Sequence, residues 1–365
     1  MPARPSREDE TAGWTRRLPV LTARPRGTAA PGGVVDRHNR PLRDLRISVT
    51  DRCNFRCPYC MPAGVFGKDF VFMRRAEILT FEEITRFARV AAGFGVTKIR
   101  LTGGEPLVRR EIERLVAMIA TIDGVEIALT TNGAALAAKA RALREAGLTR
   151  VTVSLDSLDD AVFRAMNGVG MPLARVLGGI SAARDAGFDP IKLNVVVKRG
   201  LNEGGLLDLA RYGRKHGHVV RFIEFMDVGT TNGWRLDDVV PAAEILDVID
   251  ARFPLEAIDP QYPGEVARRY RYRDGSGEIG LIASISQPFC QGCTRARLTS
   301  EGRLVTCLFA AAGHDVRAVL RSSNDDAGLS ELLTRVWGAR ADRYSEERAR
   351  LTEPRERVEM SYLGG

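Results

Sequence analysis

From residue 45 onward, short runs of aliphatic and β-branched residues alternate with longer stretches whose apolar positions recur every three or four residues. The short runs predict strands at Leu45–Thr50, Val96–Leu101, Glu126–Thr130, Arg150–Leu155, Ile191–Val197 and Val219–Phe225. The periodic stretches predict the helices between them. Thr80 caps one whose apolar face is Phe81, Ile84, Phe87, Ala88 and Ala91, with Gly93 and Gly95 ending it. Others are expected over Arg110–Ala120, Ala134–Ala146, Ala174–Ala186 and Gly204–His216, with Gly147 and Gly187 just past two of their ends.

These strands are nearly continuous in Val, Ile and Leu, as expected where both faces of a sheet are covered. Six βα units in series predict a parallel sheet with right-handed crossovers. A flat doubly wound sheet and a curved one both fit this alternation. The unusual residues favour the curved sheet. Cys53, Gly103-Gly104-Glu105-Pro106, Thr130-Thr131-Asn132-Gly133, Ser154 with Asp156, and Met226 all fall just after strands, on the rim where barrel enzymes collect their sites. The expected fold is α/β, an incomplete (β/α)6 TIM-like barrel closed by a C-terminal α+β region. Past about residue 250 the pattern changes to short strands at Arg268–Arg273, Glu278–Ser284 and Arg295–Phe309, with turns at Asp274-Gly275 and Glu301-Gly302. Helices are expected at Val316–Arg321 and Leu329–Trp337. The expected division is a flexible extension over 1–35, a partial barrel over 36–255, and a C-terminal region over 256–365 with a Gly-Gly tail.

Composition narrows the classes. Hydrophobic residues at 44% and charged residues at 27% are ordinary for a globular chain, and no apolar run is long enough to cross a membrane. Residues 1–40 are rich in Arg, Pro, Gly and Thr without the apolar segment of a secretory signal, so a cytoplasmic location with reduced thiols is expected. The net charge of +8 is spread among 46 acidic residues, with no block of consecutive Lys and Arg. A largely solvated, balanced surface is the reading, and neither nucleic acid nor membrane is an expected partner.

All six cysteines fall into two sets of three: Cys53, Cys57 and Cys60, then Cys290, Cys293 and Cys307. Three plus three is a poor count for local disulfides and an economical one for two three-thiolate sites. A structural zinc and a 4Fe-4S cluster each take four ligands. Three local thiolates therefore leave either a distant fourth ligand, as in a zinc knuckle, or one iron open to a small molecule. Gly103-Gly104 permits a close backbone approach to a ligand and Pro106 stiffens the turn, although such a turn alone is only a turn. Ser154 and Asp156 also suit a helix cap. Arg295 and Arg297, two apart on a strand, share one face beside the second set, and guanidinium forks match phosphate. Lys192 inside an apolar strand calls for an anionic partner. Lys98 and Arg221 also sit on strands, and any of these cations could instead make a structural ion pair.

Cys53-x3-Cys57-x2-Cys60, with Tyr59 before its last cysteine and Gly-Gly-Glu-Pro one βα unit later, resembles the radical S-adenosylmethionine superfamily. The resemblance implies that Cys53, Cys57 and Cys60 ligate a 4Fe-4S cluster. Its open iron chelates S-adenosylmethionine, and Tyr59, Gly104, Ser154 and Met226 contact that cofactor. One electron then releases a 5′-deoxyadenosyl radical.

Within the superfamily, the chain from about Arg43 to Gly365 resembles the enzymes that open molybdenum cofactor synthesis by cyclising GTP. The motifs are Arg46 to Cys53, Arg100 to Pro106, Arg221 to Met226, Cys290-Gln291-Gly292-Cys293-Thr294-Arg295-Ala296-Arg297 with Cys307, and the terminal Gly364-Gly365. The resemblance implies a second 4Fe-4S cluster on Cys290, Cys293 and Cys307 that binds guanine. It also implies GTP contacts from Arg46, Arg100, Thr130, Lys192, Arg295, Ala296 and Arg297. Radical abstraction of H3′ and C3′–C8 bond formation follow. The implied partners are GTP, a reductant of unknown identity, the cyclic pyranopterin monophosphate synthase that takes the product, and a second copy of the chain as a homodimer. Two readings compete: a peptide-modifying radical enzyme, which usually carries a more Cys-rich C-terminal module, and a zinc-binding nucleic-acid adaptor using the basic surplus.

Overall fold

A computed structural model describes residues 33–348 and 358–364. All of the expected N-terminal extension but 33–35, together with Gly365 of the Gly-Gly tail, lies outside the described residues. The strands are β1 Asp44–Ser48, β2 Lys98–Thr102, β3 Glu126–Thr131, β4 Arg150–Ser154, β5 Lys192–Val197, β6 Val219–Glu224, β7 Leu255–Ile258, β8 Arg268–Tyr272, β9 Glu278–Ile282, β10 Arg295–Leu298, β11 Arg303–Val305 and β12 His314–Asp315. They form one sheet in the order β12-β11-β10-β1-β2-β3-β4-β5-β6-β9-β8-β7.

The run from β10 through β1–β6 to β9 is parallel throughout, so the parallel sheet has eight strands where six βα units were expected. The C-terminal region supplies the two extra strands, one at each edge. It then continues outward antiparallel as β8-β7 and as β11-β12. The cover is therefore built into the sheet: β10 and β9 satisfy the free backbone edges that β1 and β6 would otherwise present. The segment Arg295–Phe309 forms two strands, β10 and β11, folded back at the expected Glu301-Gly302 turn.

The helices follow the expected alternation. Thr80 caps Phe81–Gly93 in a reciprocal capping box: its hydroxyl accepts from Glu83 N at 3.1 Å and its N–H donates to the Glu83 carboxylate at 2.8 Å. The helix expected from Arg110 starts at Ile112, because Glu111 takes a left-handed φ of 57°. Two short helices, Asp160–Asn167 and Ala242–Asp250, were not read from the periodicity. Among the described residues, no helix is long and apolar enough to cross a membrane.

Alternation along the strands places the core. Ile47, Ile99, Leu101, Leu129, Val153, Leu193 and Val195 are fully buried on the side where the helices pack. The opposite face carries Arg46, Arg100, Thr130, Asn194 and Arg221, so the space that a closed barrel fills with apolar layers is a polar chamber.

Candidate active site

The first cysteine loop leaves β1 at its C-terminal end and is held by backbone from two neighbours. Gly104 N donates to Thr50 O at 2.8 Å and Glu105 N donates to Arg52 O at 2.8 Å. On the far side, Arg56 N donates to Asn167 O at 2.8 Å. Glycine is required at this contact: a Cβ on Gly104 would stand 2.3 Å from Arg52 O. The approach that Gly103-Gly104 permits is thus to the cysteine loop itself, while both glycines also line the chamber. Inside the loop, Arg56 Nη1 donates to Cys53 O at 2.8 Å and Cys60 N to Cys57 O at 3.0 Å, a wrap that turns all three thiols to one wall.

Burial, with Glu105 adding to it, pushes the Cys53 thiol up to about 11; burial also raises Cys57 and Cys60, where repulsion from the neighbouring cysteines adds. Thiols in such surroundings become thiolates when a metal centre displaces their protons. The donor set fits a metal centre. Among the described residues, no three His, Cys, Asp or Glu side chains converge as the ligands of a single ion would. A cluster does not demand that, since each cysteine holds its own iron.

The second set lies across the same chamber. Cys290 and Cys293 flank a single helical turn, Cys307 follows β11, and all six cysteines are free and line the one cavity of about 300 Å3. Burial pushes the Cys293 thiol upward, but Arg295 and Arg340 outweigh it and hold the group down at about 6. Arg295 Nη2 donates to its sulfur at 3.4 Å, and the guanidinium lies 5.1 Å from the centre of the Phe289 ring. Burial, with Asp342 nearby, pushes Cys307 up to about 12.

A row of cations lines the same chamber. Arg46 is in register with Arg297 on one side and Arg100 on the other. Arg100 Nη1 donates to Thr130 Oγ1 at 3.0 Å and to Thr152 Oγ1 at 3.3 Å, and Arg221 Nη2 donates to Thr152 Oγ1 at 3.3 Å. Burial first, then repulsion among these guanidiniums, pulls Arg46 down to about 10, Arg221 to about 9, and Arg297 well below its usual value. Among the described residues, Arg46 Nε, Arg221 Nε, Arg295 Nε and Asn194 Oδ1 are buried without hydrogen-bond partners. Like charges packed this closely, with orphaned donors, are complementary to a polyanion.

Of the residues expected to contact S-adenosylmethionine, Tyr59, Gly104, Ser154 and Met226 all line the chamber. The Tyr59 hydroxyl donates to Asp156 Oδ2 at 2.6 Å, and Asp156, pushed up to about 6 by burial, also accepts from Val196 N at 2.9 Å. Of the expected GTP residues, Arg46, Arg100, Thr130, Arg295 and Arg297 line it too. Ala296 and Lys192 are not brought to that lining. The Ala296 side chain packs into the core on the other face of β10. Lys192 sits at the start of β5, held at about 8 by burial and by Arg221, Arg150 and Lys98, with no ion pair among the described residues. Sequence reading gave no role to Asn194, Asp44, Tyr262, Glu265 or Arg340, which also line the chamber. The Lys-x-Asn alternation within the apolar run Ile191–Val197 was the one available signal for Asn194.

The C-terminus closes one side. Glu359 accepts from Thr230 N at 2.9 Å and from Thr231 Oγ1 at 2.8 Å, Leu363 is fully buried, and Arg297 Nη1 donates to the carbonyls of Leu363 and Gly364. The terminal backbone thereby reaches a guanidinium of the chamber.

Comparison with known proteins agrees with this geometry. Residues 47–213 match the Radical SAM superfamily and residues 218–346 match Molybdenum Cofactor Synthesis C. The chain is 56% identical over 356 residues to a GTP 3′,8-cyclase of Acidothermus cellulolyticus, covering 90% of this chain and 98% of that one. It is 47% identical over 337 residues to a GTP 3′,8-cyclase of Staphylococcus aureus, covering 91% of this chain and 99% of that one. Among solved structures, SuiB of Streptococcus suis bound to S-adenosylmethionine superposes with a TM-score of 0.56 at 15% identity, over 74% of this chain and 61% of that one, a likeness of fold alone.

Proposed function

The chain belongs to the GTP 3′,8-cyclase family of the radical S-adenosylmethionine superfamily, and we propose how its one chamber divides the work. It converts GTP to (8S)-3′,8-cyclo-7,8-dihydroguanosine 5′-triphosphate, the first step of molybdenum cofactor biosynthesis. When bound, an iron–sulfur cluster and S-adenosylmethionine would supply, with one electron from a reductant, methionine and a 5′-deoxyadenosyl radical to take H3′; C3′ then joins C8, and a further electron and a proton complete the dihydro product.

In the proposed division, Cys53, Cys57 and Cys60 hold the radical-generating 4Fe-4S cluster, and Tyr59, Gly104, Ser154 and Met226 surround S-adenosylmethionine. Cys290, Cys293 and Cys307 hold a second 4Fe-4S cluster facing the guanine. Arg46, Arg100, Arg295 and Arg297 take the triphosphate, and Thr130 orients Arg100. Lys192 acts through the field it adds beside Arg221, and Ala296 through its backbone. The observation that carries this reading is that all six cysteines and the arginine row line the same chamber. A triphosphate answers the charge of that row, and exclusion of water strengthens each charge-assisted hydrogen bond. Residues 36–255 form the radical half and 256–365 the half that binds the second cluster and substrate. A cytoplasmic location suits six reduced thiols. A separate reductant, transfer of the product to cyclic pyranopterin monophosphate synthase and a homodimer complete the proposal, on the family resemblance alone.

The test is anaerobic incubation of the iron-loaded chain with S-adenosylmethionine, GTP and dithionite. Cys57→Ala is expected to abolish both 5′-deoxyadenosine and cyclised product. Cys293→Ala is expected to retain some 5′-deoxyadenosine release and form no cyclised product; normal GTP turnover by Cys293→Ala would remove the second cluster from the proposal.

A further inference from the structure

Behind the second cysteine set, three buried charged side chains from remote parts of the chain meet. Asp36 Oδ2 accepts from Arg40 Nε at 2.6 Å and from Arg340 Nη1 at 2.9 Å, and all three side chains are at most 3% exposed. Asp36 Oδ1 also accepts from the N–H groups of His38 and Arg40, both at 2.9 Å. Both guanidiniums also reach the cysteine loops and Asp342: Arg40 Nη1 donates to Asp342 O at 3.0 Å, and Arg340 Nε lies 3.4 Å from Asp342 Oδ2. Arg40 Nη1 donates to Cys290 O at 2.7 Å, Arg340 Nη1 to Cys293 O at 2.8 Å, and Arg340 Nε to Thr306 O, the residue before Cys307, at 3.2 Å. Each cysteine of the set is thus tied, at its own or its neighbouring carbonyl, to one carboxylate. Trp337 keeps the pieces together: its indole N–H donates to Arg40 O at 2.9 Å while the Arg340 guanidinium lies 4.6 Å from its ring centre.

Burying one carboxylate with two guanidiniums is costly unless geometry and hydrogen bonding are nearly complete, and hydrophobic packing would serve stability as well. Here the arrangement supplies something packing cannot, a fixed spacing of three loop carbonyls, one at or beside each cysteine. Groups in this relation to metal ligands orient them and tune the centre.

Resting on the second cluster proposed above, we infer that Asp36, Arg40 and Arg340 are positioning residues that set the geometry of Cys290, Cys293 and Cys307 for their cluster. The expected partner of the clamp is a polynuclear iron–sulfur centre, because three separate loop carbonyls, one at or beside each cysteine, are held at once.

The test uses the full chain with Cys53, Cys57 and Cys60 all changed to Ala, reconstituted anaerobically, so that iron and the reduced electron paramagnetic resonance signal report only the second site. Asp36→Asn and Arg340→Lys are made in this background and in the reciprocal one lacking Cys290, Cys293 and Cys307. Iron loss from the second site to an iron chelator is expected to be about 10-fold faster in both variants, with a shifted or broadened resonance signal, and the first site is expected to be unchanged. Unchanged iron retention and signal at the second site, or equal loss at both sites, would overturn the clamp while leaving the two-cluster reading intact. A parent chain that takes up no iron at the second site overturns both. Should Asp36→Asn fail to fold, Arg340→Lys decides, because it keeps the charge beside Asp36 and removes only the fork that spans two carbonyls.

Discussion

Arg46 on β1 lies directly opposite Arg297 on β10, register partners of adjacent parallel strands inside one chamber. Like charges so placed destabilise the ligand-free chain, and the buried Arg46 Nε has no hydrogen-bond partner among the described residues. Arg46→Met is therefore expected to leave the melting temperature of the ligand-free chain unchanged or raise it by roughly 1–3 °C. The same change should weaken GTP binding about 10- to 100-fold, so the stabilisation conferred by GTP shrinks. Thermal melts with and without GTP check this, and a lower ligand-free melting temperature with an undiminished GTP effect would contradict it.

The contact between Gly104 and Arg52 leaves no room for a methyl group, with a Cβ only 2.3 Å from the carbonyl oxygen. Gly104→Ala should push the cysteine loop away from β2 at a cost of about 2–4 kcal/mol. Binding of S-adenosylmethionine and iron at the first site should both fall, measured by equilibrium dialysis and iron analysis in the background lacking the second set. Full iron loading with wild-type cofactor affinity would show that the loop tolerates the shift.

Glu359 anchors the C-terminal segment to Thr230 and Thr231, and Arg297 receives the segment at its end. Glu359→Ala should free that segment with little effect on global stability, about 1 kcal/mol or less. Cyclised product should fall more than 5′-deoxyadenosine, so the ratio of the two, read by chromatography, is the informative quantity. An unchanged ratio would mean that the segment docks without this anchor.

His218 is buried, with its ring stacked on His216 at 6.1 Å between centres. Burial, then His216 and Arg184, holds it down at about 4 against an ordinary value of 6.5, with Asp189 opposing them weakly. The unfolded chain takes up this proton as pH falls below about 6.5, while the folded chain resists until about 4. Stability present above 6.5 is therefore lost across that window, by up to about 3 kcal/mol. Urea unfolding at pH 7 and pH 4.5 should show a smaller difference in His218→Leu than in the parent chain.

The alternation of strands and helices was legible because each strand's outward residues, Ile99 and Leu101 for example, are apolar for a local reason: a helix next in sequence covers them. The eight-stranded width was not legible. β10 joins β1 through partners such as Arg46 and Arg297, about 250 residues apart, and no local period records such a pairing. Face was readable where extent was not. Arg295 and Arg297 share a side of β10 as the period of two requires, yet the same rule does not say that Lys192, at the start of β5, falls outside the lining that its neighbour Asn194 joins. Asp36, Arg40 and Arg340 carried no signal, since their meaning lies in carbonyls supplied by loops far away in the chain.

The sequence by itself determined the chemistry of each local set. Cys53, Cys57 and Cys60 read as a candidate ligand set because covalent spacing confines them to one short loop, and Arg295 and Arg297 accompany Cys293 because a strand holds them two residues apart. Only the tertiary structure decided that both cysteine sets open into one chamber, which the row Arg297, Arg46 and Arg100 also lines. The reason is physical: chain connectivity fixes distances over a few residues, whereas the pairing of β1 with β10 is fixed by burying Leu45, Ile47, Ala296 and Leu298 on the core face of the sheet.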